Sequence, residues 1–171
     1  MESLEDRFRT ILDELWLTDD PEREHTSAAF LGLLREFTGS ETPPTLQPIE
    51  ASSRDLVIVR GMPFHSLCVH HLVPFFGQID LVYVPDRSLA GLGWFPRLVE
   101  HFARRPQLQE RLVAQLADHV MRELQPRSLG LRLTARQMCM ELRGARTSAT
   151  TESVAYRGLP DTNLRVALQG G

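Results

Sequence analysis

Cys68-Val69-His70-His71-Leu72-Val73-Pro74-Phe75 is the stretch from which the rest of the chain is best read. Cys68 and His71 stand in C-x-x-H spacing, which lets a thiolate and an imidazole reach one metal ion. Cys139, the only other cysteine, offers a third ligand. Three Cys/His ligands leave a fourth tetrahedral position open to water, the layout of a catalytic zinc site; structural sites are usually closed by four. The competing reading is a vestigial, metal-free site, because free cysteines also serve as small buried hydrophobes.

Outward from this stretch the pattern alternates between helix and strand. Leu4, Phe8, Ile11, Leu12 and Leu15 recur with helical period, so residues 3–16 read as an amphipathic helix. Asp19-Asp20-Pro21 breaks it. A second helix is expected over 26–37, and residues 39–53, rich in Pro, Gly, Ser and Thr, read as a loop. Residues 55–60 form a short β-rich run. Residues 78–85 alternate as a strand, as do 128–135, and 147–156 is a candidate last strand. Pro96 can open a helix running to Arg104. After Pro106, Leu108, Leu112, Leu116, Val120 and Leu124 repeat every four residues, the stripe of a core-facing helix. Periodicity alone gives an α+β chain.

With 171 residues the chain is most simply one domain, with residues 1–54 as a helical segment and loop and 55–171 as the core. A net charge of −3 argues against a nucleic-acid-binding or membrane-surface protein. No apolar run approaches membrane-spanning length, and the acidic start lacks a signal-peptide core. A cytoplasmic location is expected, and a reducing compartment suits thiolate ligands. All 19 basic residues are arginine, so no lysine amine is at hand for a Schiff base or for phosphate.

The chain resembles the GTP cyclohydrolase I family. The resemblance rests on residues 68–75, on Gly91-Leu92, on the run from Ala103 to Leu112, on Met138-Cys139-Met140, on Arg143-Gly144 and on Ser148-Ala149-Thr150-Thr151. It implies the tunnelling fold (T-fold): an antiparallel sheet backed by two helices, joined with other copies into an oligomeric barrel, typically a decamer with sites between subunits. It implies Zn2+ held by Cys68, His71 and Cys139, and hydrolytic opening of the imidazole ring of GTP, giving 7,8-dihydroneopterin triphosphate and formate. In the family pattern His70 transfers protons, which suits a group titrating near neutrality; the plainer alternative is a histidine bonded only to backbone. Gln109 and Glu110 match residues that read guanine, a carboxylate being able to accept from its N–H groups; otherwise they are a solvated helix face. Arg97 and Arg143 match phosphate-holding residues, for which the planar guanidinium is suited; otherwise they are surface charge.

Three positions depart from the family pattern. Val69 stands where a glutamate is usual. Gly93-Trp94 replace a serine and a lysine expected near the phosphates, so Trp94 is expected to offer a flat apolar surface there. Gln137 replaces a proton-transferring histidine, and an amide does not titrate. Together they suggest a less phosphorylated substrate, or a reaction that stops at a ring-opened or deformylated pyrimidine. A non-catalytic ligand-binding or regulatory protein on the same ring is the alternative from another class; the intact Cys/His/Cys set argues against it.

Overall fold

The computed structural model describes residues 3–15, 23–39 and 42–170. These fall into two compact units, Met1–Thr38 and Gly39–Gly171. In the first, α1 (Leu4–Leu15) and α2 (Arg23–Glu36) meet through the stacked rings of Phe8 and Phe30, 5.2 Å apart. Ser3 starts α1: its hydroxyl accepts the Asp6 N–H at 3.0 Å, and the Asp6 carboxylate accepts from Ser3 in return. This reciprocal pair satisfies donors that the first helical turn leaves open. The break expected at Asp19-Asp20-Pro21 lies outside the described residues.

The second unit begins with β1 (Pro48–Glu50), inside the segment expected to be loop. It pairs with β4 (Ser88–Ala90) in a small separate sheet. The main sheet has the order β5-β2-β3-β6-β7. Its long strands, β2 (Val57–Cys68), β3 (Pro74–Val84), β6 (Ser128–Gln137) and β7 (Thr150–Gly158), pair antiparallel. β5 (Pro106–Gln107) adds a two-residue parallel edge against Leu67 and Cys68. β2 runs to Cys68, well past the expected 55–60, because a bulge lets it continue. The register shifts between Val59 and Met62, Gly61 takes φ +67°, and its N–H is accepted by Asp80 Oδ1 at 2.8 Å. That interruption hides the second half of the strand from a period-two reading.

Two helices, α3 (Trp94–Ala103) and α4 (Gln109–Leu124), pack on one face of the sheet. Leu112, Leu116 and Val120 are buried against Ile79, Leu81 and Leu131, as the four-residue stripe predicted. α3 starts two residues before Pro96. A proline in a helix's first turn loses only an N–H that lacks an intrahelical acceptor anyway. Strand alternation turns Val82 and Val84 to the opposite face, where Leu164 and Leu168 of α6 (Thr162–Gln169) cover them. The sequence reading did not include α6, whose start is set by one contact: Asp161 accepts the Leu164 N–H at 2.9 Å. The short helix α5 (Met138–Glu141) follows β6 directly.

Candidate metal centre and adjoining cavity

β2 ends at Cys68, and the chain then reverses within a few residues. Cys68 N–H donates to Val73 O at 2.9 Å, and Leu72 N–H donates to Cys68 O at 2.8 Å, with Leu72 in the left-handed region at φ 53°. Residues 69–71 are therefore a turn and not an extended segment. The turn separates His70 from His71, with ring centroids 6.2 Å apart and planes at 81°. The turn brings His71 Nδ1 to 3.7 Å from Cys68 Sγ.

Cys139 reaches the same point from the other side. β6 pairs with β3 as far as Gln137 opposite Phe75, and α5 then carries Cys139 across the strand end. The ligand atoms of Cys68, His71 and Cys139 all lie within 4.8 Å of one another. A tetrahedral zinc with bonds of about 2.0–2.3 Å has ligand–ligand edges of roughly 3.5–3.8 Å, so the Cys68–His71 distance is already such an edge. Two thiols and an imidazole are a donor set that suits zinc. Burial pushes the Cys139 thiol up, the adjacent Cys68 adds to this, and the charge of Arg143 opposes it.

A cavity of about 270 Å³ opens beside these ligands. Cys68, His70, Gln109, Glu110, Gln137 and Cys139 all contribute to its wall. His70 and Glu110 are exposed, and the Glu110 carboxylate has no protein hydrogen bond or ion pair among the described residues. Glu110 stands in the first turn of α4, whose first intrahelical bond is Leu112 N–H to Leu108 O. Donors of that turn and the positive end of the helix therefore face the same region.

Gln109 departs from its expected role. It is buried, and its amide is committed to protein groups. Nε2 donates to Leu133 O at 3.4 Å and Thr151 O at 3.2 Å, while Oε1 accepts from Gln137 Nε2 and Thr151 Oγ1, each at 2.7 Å. No part of that amide is left to read a base.

Trp94 departs further. It is 2% exposed, its ring packs on Phe95, and its indole N–H donates to Pro44 O at 2.9 Å. The expected apolar surface for a ligand is corrected to a core anchor, because the amphipathic turn of α3 faces Trp94 into the sheet. Gly93 and Arg97 are exposed, with Arg97 Nε bonded to Gly93 O at 3.0 Å, and neither contributes to the cavity wall. Arg143 is also exposed and outside the wall. Sequence reasoning gave no role to Thr151 or Gln107, which do line it. Thr151 comes from β7 opposite Ala135, a register that no local pattern announces.

Comparison with known proteins bears on this arrangement. The family model for GTP cyclohydrolase I matches residues 4–169. A protein named GTP cyclohydrolase 1 from Brucella anthropi is 39% identical over 165 residues, covering 91% of this chain and 76% of the relative. One of the same name from Campylobacter lari is 46% identical over 110 residues, 64% of this chain and 58% of the relative, and one from a Janthinobacterium species is 47% identical over 111 residues. The match thus spans 58% of the length of the Campylobacter relative. A solved structure described as the apo form of the archaeosine synthase QueF-Like superposes with a TM-score of 0.51 at 20% identity, covering 64% of this chain and 100% of that one. That likeness is one of fold, and the α+β architecture here is the T-fold. With the family pattern matched along nearly its whole length, the chain belongs to the GTP cyclohydrolase I family.

Proposed function

We propose that this chain is a zinc-dependent hydrolase that opens the imidazole ring of a guanine nucleotide, with GTP conversion to 7,8-dihydroneopterin triphosphate and formate as the full reaction. The observation that carries this reading is the gathering of Cys68, His71 and Cys139, two of which, Cys68 and Cys139, line a cavity together with His70 and Glu110. When bound, zinc brings the pKa of a water towards neutrality. The chain's own residues do the rest. Glu110, without a partner among the described residues, accepts hydrogen bonds from the N1–H and amino group of guanine. Hydrolysis adds oxygen to C8 and a proton to the departing ring nitrogen, and His70 carries that proton. The cavity is smaller than the roughly 300–1,000 Å³ usual for drug-sized ligands, so the phosphate tail extends beyond it, where Arg97 and Arg143 meet it.

We further infer that the working form is a cytoplasmic homo-oligomer. β7 lies at the edge of the sheet with one side of its backbone unpaired in the main sheet, the kind of edge that another copy pairs. Light scattering that returned a stable monomer of 19.4 kDa would refute this.

A second reading is favoured by Gln137. Its amide is held by Gln109 and does not titrate, so the later proton movements at the ribose lose a relay. The reaction then halts at a formamido- or diaminopyrimidine nucleotide. One experiment separates these readings. Zinc-loaded protein is incubated with GTP, GDP, GMP and guanosine, products are weighed by mass spectrometry, formate is assayed, and Gln137→His is run alongside. A pterin triphosphate from the unmodified protein supports the full reaction. A ring-opened pyrimidine that Gln137→His carries further supports the halted one. Unchanged nucleotides throughout would refute both and leave a binding protein.

A further inference from the structure

We propose that Gln107 is a positioning residue for the metal centre: its buried side-chain amide fixes the short strand β5, and the backbone carbonyl of β5 holds the turn that joins Cys68 to His71. The inference rests on Cys68, His71 and Cys139 being a zinc centre.

The turn has little else to hold it in place. His71 N–H and Leu72 N–H both donate to Cys68 O, at 3.3 and 2.8 Å, and Cys68 N–H donates to Val73 O at 2.9 Å. These bonds set the shape of the turn and not its position. Among the described residues, the backbone bond that ties residues 69–72 to another element is Val69 N–H to Gln107 O, at 3.0 Å. Gln107 lies opposite Cys68 in the parallel pairing of β5 with β2.

β5 is only two residues long, shorter than strands that fix their own place in a sheet. The Gln107 side chain, 1% exposed, supplies what the strand lacks. Phe102 O can only accept, so the end of the amide 3.0 Å from it is the NH2. The same Nε2 donates to Gln115 Oε1 at 2.8 Å, which uses both of its protons. Phe102 stands in the last turn of α3, whose carbonyls have no intrahelical donor, and Gln115 stands on α4. One amide therefore joins the end of α3 to α4, and the backbone of the same residue joins both to the metal turn. Groups that orient metal ligands from behind set affinity as well as geometry. Gln107 Oε1 is sealed from solvent and has no partner among the described residues. That offsets part of what the two donated bonds contribute to stability, so methionine at this position should leave a folded chain.

The test measures zinc affinity of the full-length protein by competition with a chromophoric chelator. Hydrogen exchange of the peptide spanning residues 67–72 is followed alongside in the zinc-free form. Gln107→Met is expected to weaken zinc binding about tenfold to a hundredfold and to speed exchange in that peptide. Gln115→Met removes one of the two bonds and should weaken zinc binding about threefold to tenfold. The double variant should be no worse than Gln107→Met alone. Gly130→Ala, a destabilising change on the face of the sheet that α6 covers, should move neither readout. If Gln107→Met does not fold, Gln115→Met takes its place and should also speed the exchange. An unchanged zinc affinity or an unchanged exchange rate in the folded variant would overturn the proposal. So would an equal loss of zinc affinity in Gly130→Ala, which would mark a general loosening. No zinc bound by wild type would instead overturn the metal reading beneath it.

Discussion

Trp94 donates its indole N–H to the carbonyl of Pro44 across 2.9 Å, tying the segment before β1 to the start of α3. The ring is sealed between Phe95 and His119, with centroids 5.3 and 6.0 Å away. A side chain that looked in the sequence like a changed ligand contact is therefore a structural one. Trp94→Phe should lower stability by about 1–3 kcal/mol, through a small void and an unpaired carbonyl. Urea denaturation reads the loss. Nucleotide affinity of the folded fraction should not change; a shift in preference between GTP and GMP would put Trp94 back in the binding site.

Metal stoichiometry tests the Cys/His/Cys set. Wild type should hold about one zinc per chain. Cys139→Ala and His71→Ala should each lose most of it in elemental analysis. Retention of a full equivalent in Cys139→Ala would remove α5 from the centre.

Stability should fall as the solution is acidified below neutrality, and His119 is one named cause. It is buried on α4, its Nδ1 accepts from Arg122 at 2.6 Å, and Nε2 has no hydrogen-bond partner among the described residues. Burial chiefly, then Arg122, lowers its pKa below the usual 6.5; Glu123 opposes this and His101 adds slightly to it. The unfolded chain therefore takes up the proton more readily. Stability is fully present above about pH 6.5 and is lost as pH falls towards the folded pKa, by at most about 1.4 kcal/mol per pH unit for this group. His119→Gln should flatten the melting temperature between pH 7 and 5. An unaltered slope would exclude His119.

Two glycines should differ in their tolerance of alanine. At Gly77 a Cβ would sit 1.9 Å from the backbone Thr134 O, within the β3–β6 ladder. Gly77→Ala should cost about 3 kcal/mol or more, since backbone must part. At Gly130 the nearest atom is Leu164 Cδ2 at 2.8 Å, the end of a side chain that can turn. Gly130→Ala should cost only about 1 kcal/mol, and thermal melts rank the pair.

Local pattern was enough for whatever depends on neighbours along the chain. The stripe from Leu108 to Leu124 identified α4, because a helix repeats its buried face every few residues, and Leu112, Leu116 and Val120 are indeed sealed. The spacing of Cys68 and His71 pointed to a candidate ligand pair, since a turn of that length is itself a local structure, and the turn does bring their ligand atoms to 3.7 Å. The family motif joined Cys139 to them. Sequence by itself did not decide which groups those side chains would meet. Trp94 reads alike whether it lines a site or fills the core, and only the direction of α3 against the sheet settles it. Gln109 reads as a base contact until the β6–β7 register places Leu133 O and Thr151 O beside it. The bulge at Gly61 depends on Asp80 from the neighbouring strand. Helical period and turn spacing are set over a few residues; the pairing of strands, and with it the direction of each hydrogen bond, is set by segments far apart in the chain.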